Sequence, residues 1–203
     1  NINRNRAANI NKALLNGENI VEITNESVGN RRSPQITADG NRLYYVLLDS
    51  KGGKIMQRNL SEQKEEVFLE NDDVQCGIFL VLSPDEKYLA CFNSRKNQPF
   101  SEKHSAEIVV VSTEDKSVKF MQVDANRFPL RFSPDSKAVE FTANLDTGIQ
   151  ILRQGFEESE AKPILQMPKD YIFNFAWSKD GKKIAISRGQ QYRDAVLLSE
   201  FDK

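Results

Sequence analysis

The chain has 203 residues, with 28 Lys and Arg against 29 Asp and Glu and a formal charge of −1, so it lacks the basic excess of a general nucleic-acid or anionic-membrane binder. Hydrophobic residues at 39% and charged residues at 28%, with 10 Gly and 7 Pro, exclude a disordered or collagen-like chain. No apolar run approaches the roughly 20 residues of a membrane-crossing helix. The stretch NINRNRAANI begins without Met and holds no signal-peptide core, which sets the expectation that processing or truncation removed the true start.

In chain order, NKALLNGENIVEIT reads as two short strands around Asn16-Gly17, a pair suited to a tight reversal. One pattern then recurs four times: QITADGNRLYYV from Gln35, VLSPDEKYLACF from Val81, RFSPDSKAVEFT from Arg131 and AWSKDGKKIAIS from Ala176. Its anchors, Asp39, Asp85, Asp135 and Asp180, lie 46, 50 and 45 residues apart, the period of a four-stranded blade in radial β-repeat proteins. In each unit an apolar residue (Ile36, Leu82, Phe132 or Trp177) precedes a Ser/Thr-x-Asp turn, and a β-rich run follows it. Asp at such a turn accepts from backbone N–H groups two residues on, and Gly40 or Gly181 supplies a positive φ. A third run follows in each unit and a fourth in the first three, so that the runs make strands A to D of three complete blades and an A-B-C set in the last. The expected fold is therefore all-β, a partial β-propeller over 1–203, with a blade end at 8–25 and blades at about 32–70, 75–124, 127–167 and 171–201. Closure of a ring by a strand from the other end of the chain fits this layout, either as four blades or, preferred here, as part of a ring of six to eight.

The repeats Ser83-Pro84-Asp85 with Tyr88-Leu89-Ala90, Ser133-Pro134-Asp135 with Ala138-Val139, and Ser178-Lys179-Asp180-Gly181 with Ile184-Ala185 resemble the WD-like blades of TolB-like propellers. Thr37-Ala38-Asp39-Gly40 departs in lacking Pro, and the second and third repeats lack Gly after Asp. The ending IAISRGQQYRDAVLLSEF resembles the last blade of bacterial signalling proteins in which such a propeller follows a winged-helix or serine/threonine kinase domain. No part of either domain is present. The resemblance implies a non-catalytic protein-, peptide- or envelope-ligand-binding sensor module in the periplasm, with a cytoplasmic setting as the alternative. A propeller fragment of a prolyl-oligopeptidase-like peptidase and a stand-alone periplasmic TolB-like protein are the other functional readings.

Hairpin geometry places the A–B turns on one face and the B–C and D–A connections on the other. Variable connections on a repeated scaffold are where recognition resides. The candidate binding residues are Arg32, Arg127, Arg188 and Arg193, whose guanidinium groups suit a carboxylate or phosphate, Tyr192 between the last two, and His104 in the long loop SRKNQPFSEKHS. Acidic residues share those loops, so rim salt bridges are the competing reading. The anchoring aspartates are expected to cap turns, since blade symmetry spreads them around a ring. Cys76 and Cys91 lack metal-ligand spacing and are expected to be buried free thiols. Phe79, Phe132, Phe175 and Trp177 are expected to face the core. There is no G-x-S-x-G elbow, phosphate loop or dinucleotide fingerprint, so no cofactor, metal or catalytic residue is assigned. Exposed blade edges make self-association an expected partner mode.

Overall fold

The structure is a computed structural model that describes residues 7–94, 105–124, 129–145, 148–167 and 171–189. All of its regular elements are strands. A hairpin of β1 (Asn11–Lys12) and β2 (Val21–Glu22) precedes β3 (Asn30–Ile36), β4 (Arg42–Asp49), β5 (Gly52–Asn59) and β6 (Lys64–Val67). The second sheet holds β7 (Cys76–Leu82), β8 (Tyr88–Asn93), β9 (Ser105–Ser112) and β10 (Val118–Asp124). The third holds β11 (Leu130–Phe132), β12 (Ala138–Leu145), β13 (Gly148–Gly155) and β14 (Lys162–Met167), and β15 (Tyr171–Trp177) pairs with β16 (Ile184–Gly189). Within every sheet the strands follow chain order and pair antiparallel.

Each of the three four-stranded sheets packs both faces on neighbouring strands, which explains why runs such as LYYV and IVVV are apolar at consecutive positions. Strands buried on one face alternate; strands buried on both do not. Thus Tyr44 and Val46 pack with Leu89, Cys91, Val109 and Val111 of the second sheet, whereas Leu43 and Tyr45 pack against Ile10 and Ile23 beside the N-terminal hairpin. Ala90, Phe92, Ile108 and Val110 turn the other way, onto Leu130, Val139 and Phe141. Ile149 and Ile151 meet Ile172 and Phe175.

The four A–B turns are built alike. The hydroxyl of Thr37, Ser83, Ser133 or Ser178 donates to the Asp two residues on at 2.5 to 2.6 Å. It also accepts from the backbone N–H five residues on at 2.9 to 3.0 Å. Each Asp carboxylate accepts the N–H two residues beyond it. The residue after Asp has a positive φ in all four turns: Gly40, Glu86, Ser136 and Gly181. Glu86 and Ser136 occupy a left-handed region that a side chain enters only at about 1–2 kcal/mol, and each uses that side chain between sheets. Glu86 accepts from Ala38 N–H, and Ser136 Oγ accepts from Asp85 N–H at 3.1 Å. At Gly181 a Cβ would lie 2.8 Å from Pro134 Cβ, so absence of a side chain there lets the fourth turn close on the third.

Three local features differ from the sequence reading. Cys76 and Cys91 form a fully buried disulfide with a Cα–Cα distance of 5.6 Å. A register shift between Cys76 and Leu80 sets the two residues diagonally across β7 and β8, which spacing along the chain does not reveal. That same shift breaks the alternation of β7, and Phe79 is 41% exposed instead of facing the core. Phe132 and Phe175 are buried. Trp177 is half-buried and donates its indole N–H to Glu140 Oε2 at 2.6 Å.

Candidate functional site

A recess opens on the face of the B–C and D–A connections, between the β4–β5 hairpin and the segment joining β6 to β7. It encloses about 530 Å³. Ile55, Val67, Leu69 and Val74 give it an apolar floor, and Lys51, Lys54, Glu70, Asn71, Asp72 and Gln75 add charged and amide groups.

Its walls are fixed from below. The tight β4–β5 reversal is held by Asp49 Oδ1, which accepts from Lys51 N–H at 2.7 Å. Gly52, at φ 123°, brings that hairpin close enough that a Cβ would lie 2.9 Å from the Gln75 side chain. Gly53 approaches closer still: a Cβ there would stand 1.8 Å from the Cys76 carbonyl oxygen, so only glycine lets the first and second sheets meet. On the other wall, Asn71 Oδ1 accepts from Asp73 N–H at 2.8 Å, and the Asn71 carbonyl accepts from Val74 N–H at 3.0 Å. Asn93, fully buried, donates to the Asp73 carbonyl at 2.8 Å and accepts from Gln75 N–H at 3.1 Å. Its amide also donates to buried Glu107 at 2.8 Å, and Gln122 donates to the same carboxylate. This chain of amides and carboxylate ties the recess wall to the second sheet. The lining offers two ammonium and two carboxylate groups above an apolar base. Such a surface suits side chains of an extended peptide and selects by charge order.

The turn aspartates and Glu140 are committed to structure. Asp39, Asp135 and Asp180 are held below the usual carboxylate range, chiefly by their Thr37, Ser133 and Ser178 hydroxyls. Asp115 is lowered to about 2, mainly by Ser112 and then Ser117. Glu140, with no exposed surface, is pushed up by burial, although Trp177 and both Nε and Nη2 of Arg153 donate to it. Tyr45 is fully buried and its hydroxyl is raised well above its ordinary value, chiefly by desolvation. Among the described residues no group of three His, Cys, Asp or Glu is arranged to hold a metal ion.

Of the residues the sequence singles out, Arg32 is exposed on β3, and Arg188 is exposed on β16 with its Nη1 3.7 Å from Met167 Sδ. They belong to different sheets. His104, Arg127, Tyr192 and Arg193 lie outside the described residues. The neighbouring Arg31 is buried, donating to the Val28 carbonyl at 3.2 Å. Lys51, Glu70 and Asp72 stand in the variable connections that the repeat pattern places on this face, but their sharing of one recess is not visible in the sequence. Its local signal is Gly52-Gly53, a close-approach pair in front of the apolar Ile55.

Comparison with solved structures decides the architecture. TolB from Acinetobacter baumannii superposes with a TM-score of 0.68 at 25% identity, over 87% of this chain and 42% of that one. The fold is a TolB-like β-propeller. A puromycin-hydrolysing peptidase from Mycobacterium tuberculosis aligns with a TM-score of 0.65 at 12% identity over 89% of this chain and 32% of that one. Oligogalacturonate lyase from Vibrio parahaemolyticus gives 0.51 at 16% identity, over 86% and 63%. This propeller chain thus spans less than half the length of the TolB chain and under two thirds of the lyase. No family model matches the sequence, and no curated protein matches it. The sheets described above are its blades, and no helix among the described residues is long and apolar enough to cross a membrane.

Proposed function

We propose that this propeller is a non-catalytic recognition module of a bacterial envelope or signalling protein, binding a protein or peptide partner on the face of the B–C and D–A connections. The observation that carries the reading is the recess between Gly52-Gly53 and the 69–75 segment, lined by Lys51, Lys54, Glu70 and Asp72 together with apolar Ile55, Val67, Leu69 and Val74. The likeness to TolB supports it. A buried disulfide suits an oxidising compartment, which favours the periplasm over the cytoplasm. Arg32, Arg127, Arg188, Tyr192, Arg193 and His104 extend the same surface around the ring in this proposal.

The ring itself is proposed to have six to eight blades, this chain supplying the blades at about 32–70, 75–124, 127–167 and 171–201 and a blade end at 8–25. The hairpin of β1 and β2 supports this: Ile10 and Ile23 pack on the first blade as the outer strands of a preceding blade would.

The test is selection of peptides from a displayed random library on the full chain, followed by titration against the charge-reversed pair Lys51→Glu and Asp72→Lys. The proposal expects at least about tenfold weaker binding, equivalent to about 1.4 kcal/mol, with an unchanged melting temperature. Selected peptides that bind both proteins equally would place recognition elsewhere. A second reading, the propeller of a prolyl-oligopeptidase-like peptidase, is favoured by the superposition on the mycobacterial enzyme. It predicts that the source gene continues into a hydrolase domain and that the longer product cleaves peptides.

A further inference from the structure

The outer edges of the three complete blades are protected unequally. β6 has four residues, three of them charged: Lys64, Glu65 and Glu66. β14 carries Pro163, and its pairing with β13 is interrupted by a register shift at Ile151 and Leu152. Short length, charge, proline and irregularity are the devices that stop an edge from pairing with another chain. β10 is neither short, proline-bearing nor irregular, and its only charges are Lys119 and the terminal Asp124. It runs seven residues without proline, in unbroken register with β9 from Val118 opposite Val111 to Asp124 opposite Ser105. Its one lysine, Lys119, is drawn aside to Glu157 of the third blade at 2.7 Å and does not stand guard at the edge.

The outward groups can be assigned. Ser112 N–H donates to the Ser117 carbonyl at 2.9 Å, and inward and outward pairs alternate along an antiparallel ladder. The N–H and C=O groups of Val118, Phe120, Gln122 and Asp124 consequently point away from β9. Met121 and Val123 are buried toward the third blade, while Phe120 is 39% exposed.

We propose that β10 pairs antiparallel with β10 of a second copy of this chain, about a two-fold axis at Phe120, joining the second blades of two propellers into one continuous sheet. This register is self-complementary. It sets Phe120 opposite Phe120 of the partner copy and Val118 opposite the partner's Gln122, with about six main-chain hydrogen bonds across the seam. At each end Lys116, two residues before the strand, comes level with the partner's Asp124. A register centred one residue later would set Val118 against a carboxylate, and side-chain alternation forbids a half-step. One end of the seam, Lys116 and Val118, borders Val67, Leu69, Glu70 and Asn71 of the recess wall, but the dimer is read from oligomeric state and β10 amide protection and not from peptide binding, so the inference stands or falls separately from the proposed recognition role.

The experiment is sedimentation velocity on the full chain from about 1 to about 200 μM, with residue-resolved amide exchange at both ends of that range. The expected result is a concentration-dependent dimer in which the amides of Val118, Phe120 and Gln122 become protected, and which Phe120→Lys weakens by about tenfold or more by opposing two ammonium groups at the axis. If Phe120→Lys loses its β-sheet circular dichroism, Phe120→Thr, which retains strand propensity, takes its place with the same expectation. A monomer at every concentration overturns the proposal. So does a dimer that leaves those amides unprotected or is indifferent to the folded Phe120 variant.

Discussion

The two faces of this propeller solve opposite problems with the same hairpins. On the turn face, Thr37, Ser83, Ser133 and Ser178 make the same bonds to the same acidic partner. Across the ring, the described connections share no pattern: the β4–β5 reversal closes around Asp49, whereas the β6–β7 segment is clamped by Asn71 and Asn93. Repetition marks the face that builds the ring, and variation marks the face left to recognise something. Between them, Gly53 and the Cys76–Cys91 disulfide join the variable face to the core of the first two blades.

The largest effect that would break this division is expected at Gly53. Gly53→Val forces a side chain into the Cys76 carbonyl and should cost more than about 4 kcal/mol in urea denaturation or abolish folding. Gly77→Ala, where a Cβ meets nothing closer than 3.6 Å, should stay within about 1 kcal/mol. Next is the disulfide, which spans a sequence separation of 15. Replacing both cysteines with serine should lower stability by about 3 kcal/mol, read from the shift in denaturation midpoint.

The turn face should give smaller, graded losses. Ser133 is fully buried and Ser178 is not, so Ser133→Ala should cost about 1–2 kcal/mol and Ser178→Ala clearly less. If the two losses are equal, burial does not set the strength of these turns.

Acid should distinguish the turns from the blade interface. The folded values of Asp39, Asp135 and Asp180 are depressed, so their contribution is present above the unfolded carboxylate pKa and is lost as pH falls through the folded values. Glu140 has the opposite sign. Its value is raised by burial, so its contribution is greatest below its unfolded pKa and declines as pH rises through the folded value. Denaturation midpoints between pH 7 and pH 2.5 should therefore fall less steeply with acid for Asp135→Asn than for the unaltered chain, whereas Glu140→Gln should remove an opposing gain and fall more steeply as pH drops from neutral through the carboxylate range. The smallest effect is expected in the recess, where Lys51→Glu with Asp72→Lys should change stability by no more than about 0.5 kcal/mol.

What the sequence disclosed follows the range of each interaction. The Ser/Thr-x-Asp turns close within six residues, so their hydrogen bonding and the all-β propeller class were legible from local pattern and period. The positive φ at Glu86 and Ser136 was not, because the bonds that offset it end on Ala38 and Asp85 of another blade. Cys76 and Cys91 look like isolated thiols until a register shift in β7 brings them together, and that shift also exposes Phe79. The buried Glu140, with Arg153 from the same sheet and Trp177 from the next, is invisible for the same reason. Of the site, the sequence could name the connections; only folding shows that Lys51 and Asp72 share one recess.

The turn-to-turn stitching has a consequence for how such a protein can change over generations. Glu86 reaches back to Ala38, Ser136 to Asp85 and Gly181 to Pro134, while nothing lies within 4 Å of where a Cβ would stand on Gly40. The first two links need only a backbone N–H donor on the turn before, and the third only room for Gly181 beside the Pro134 ring. A blade could be duplicated, deleted or exchanged with its neighbours' turns left as they are, so ring size could vary in descent without the joints being reinvented.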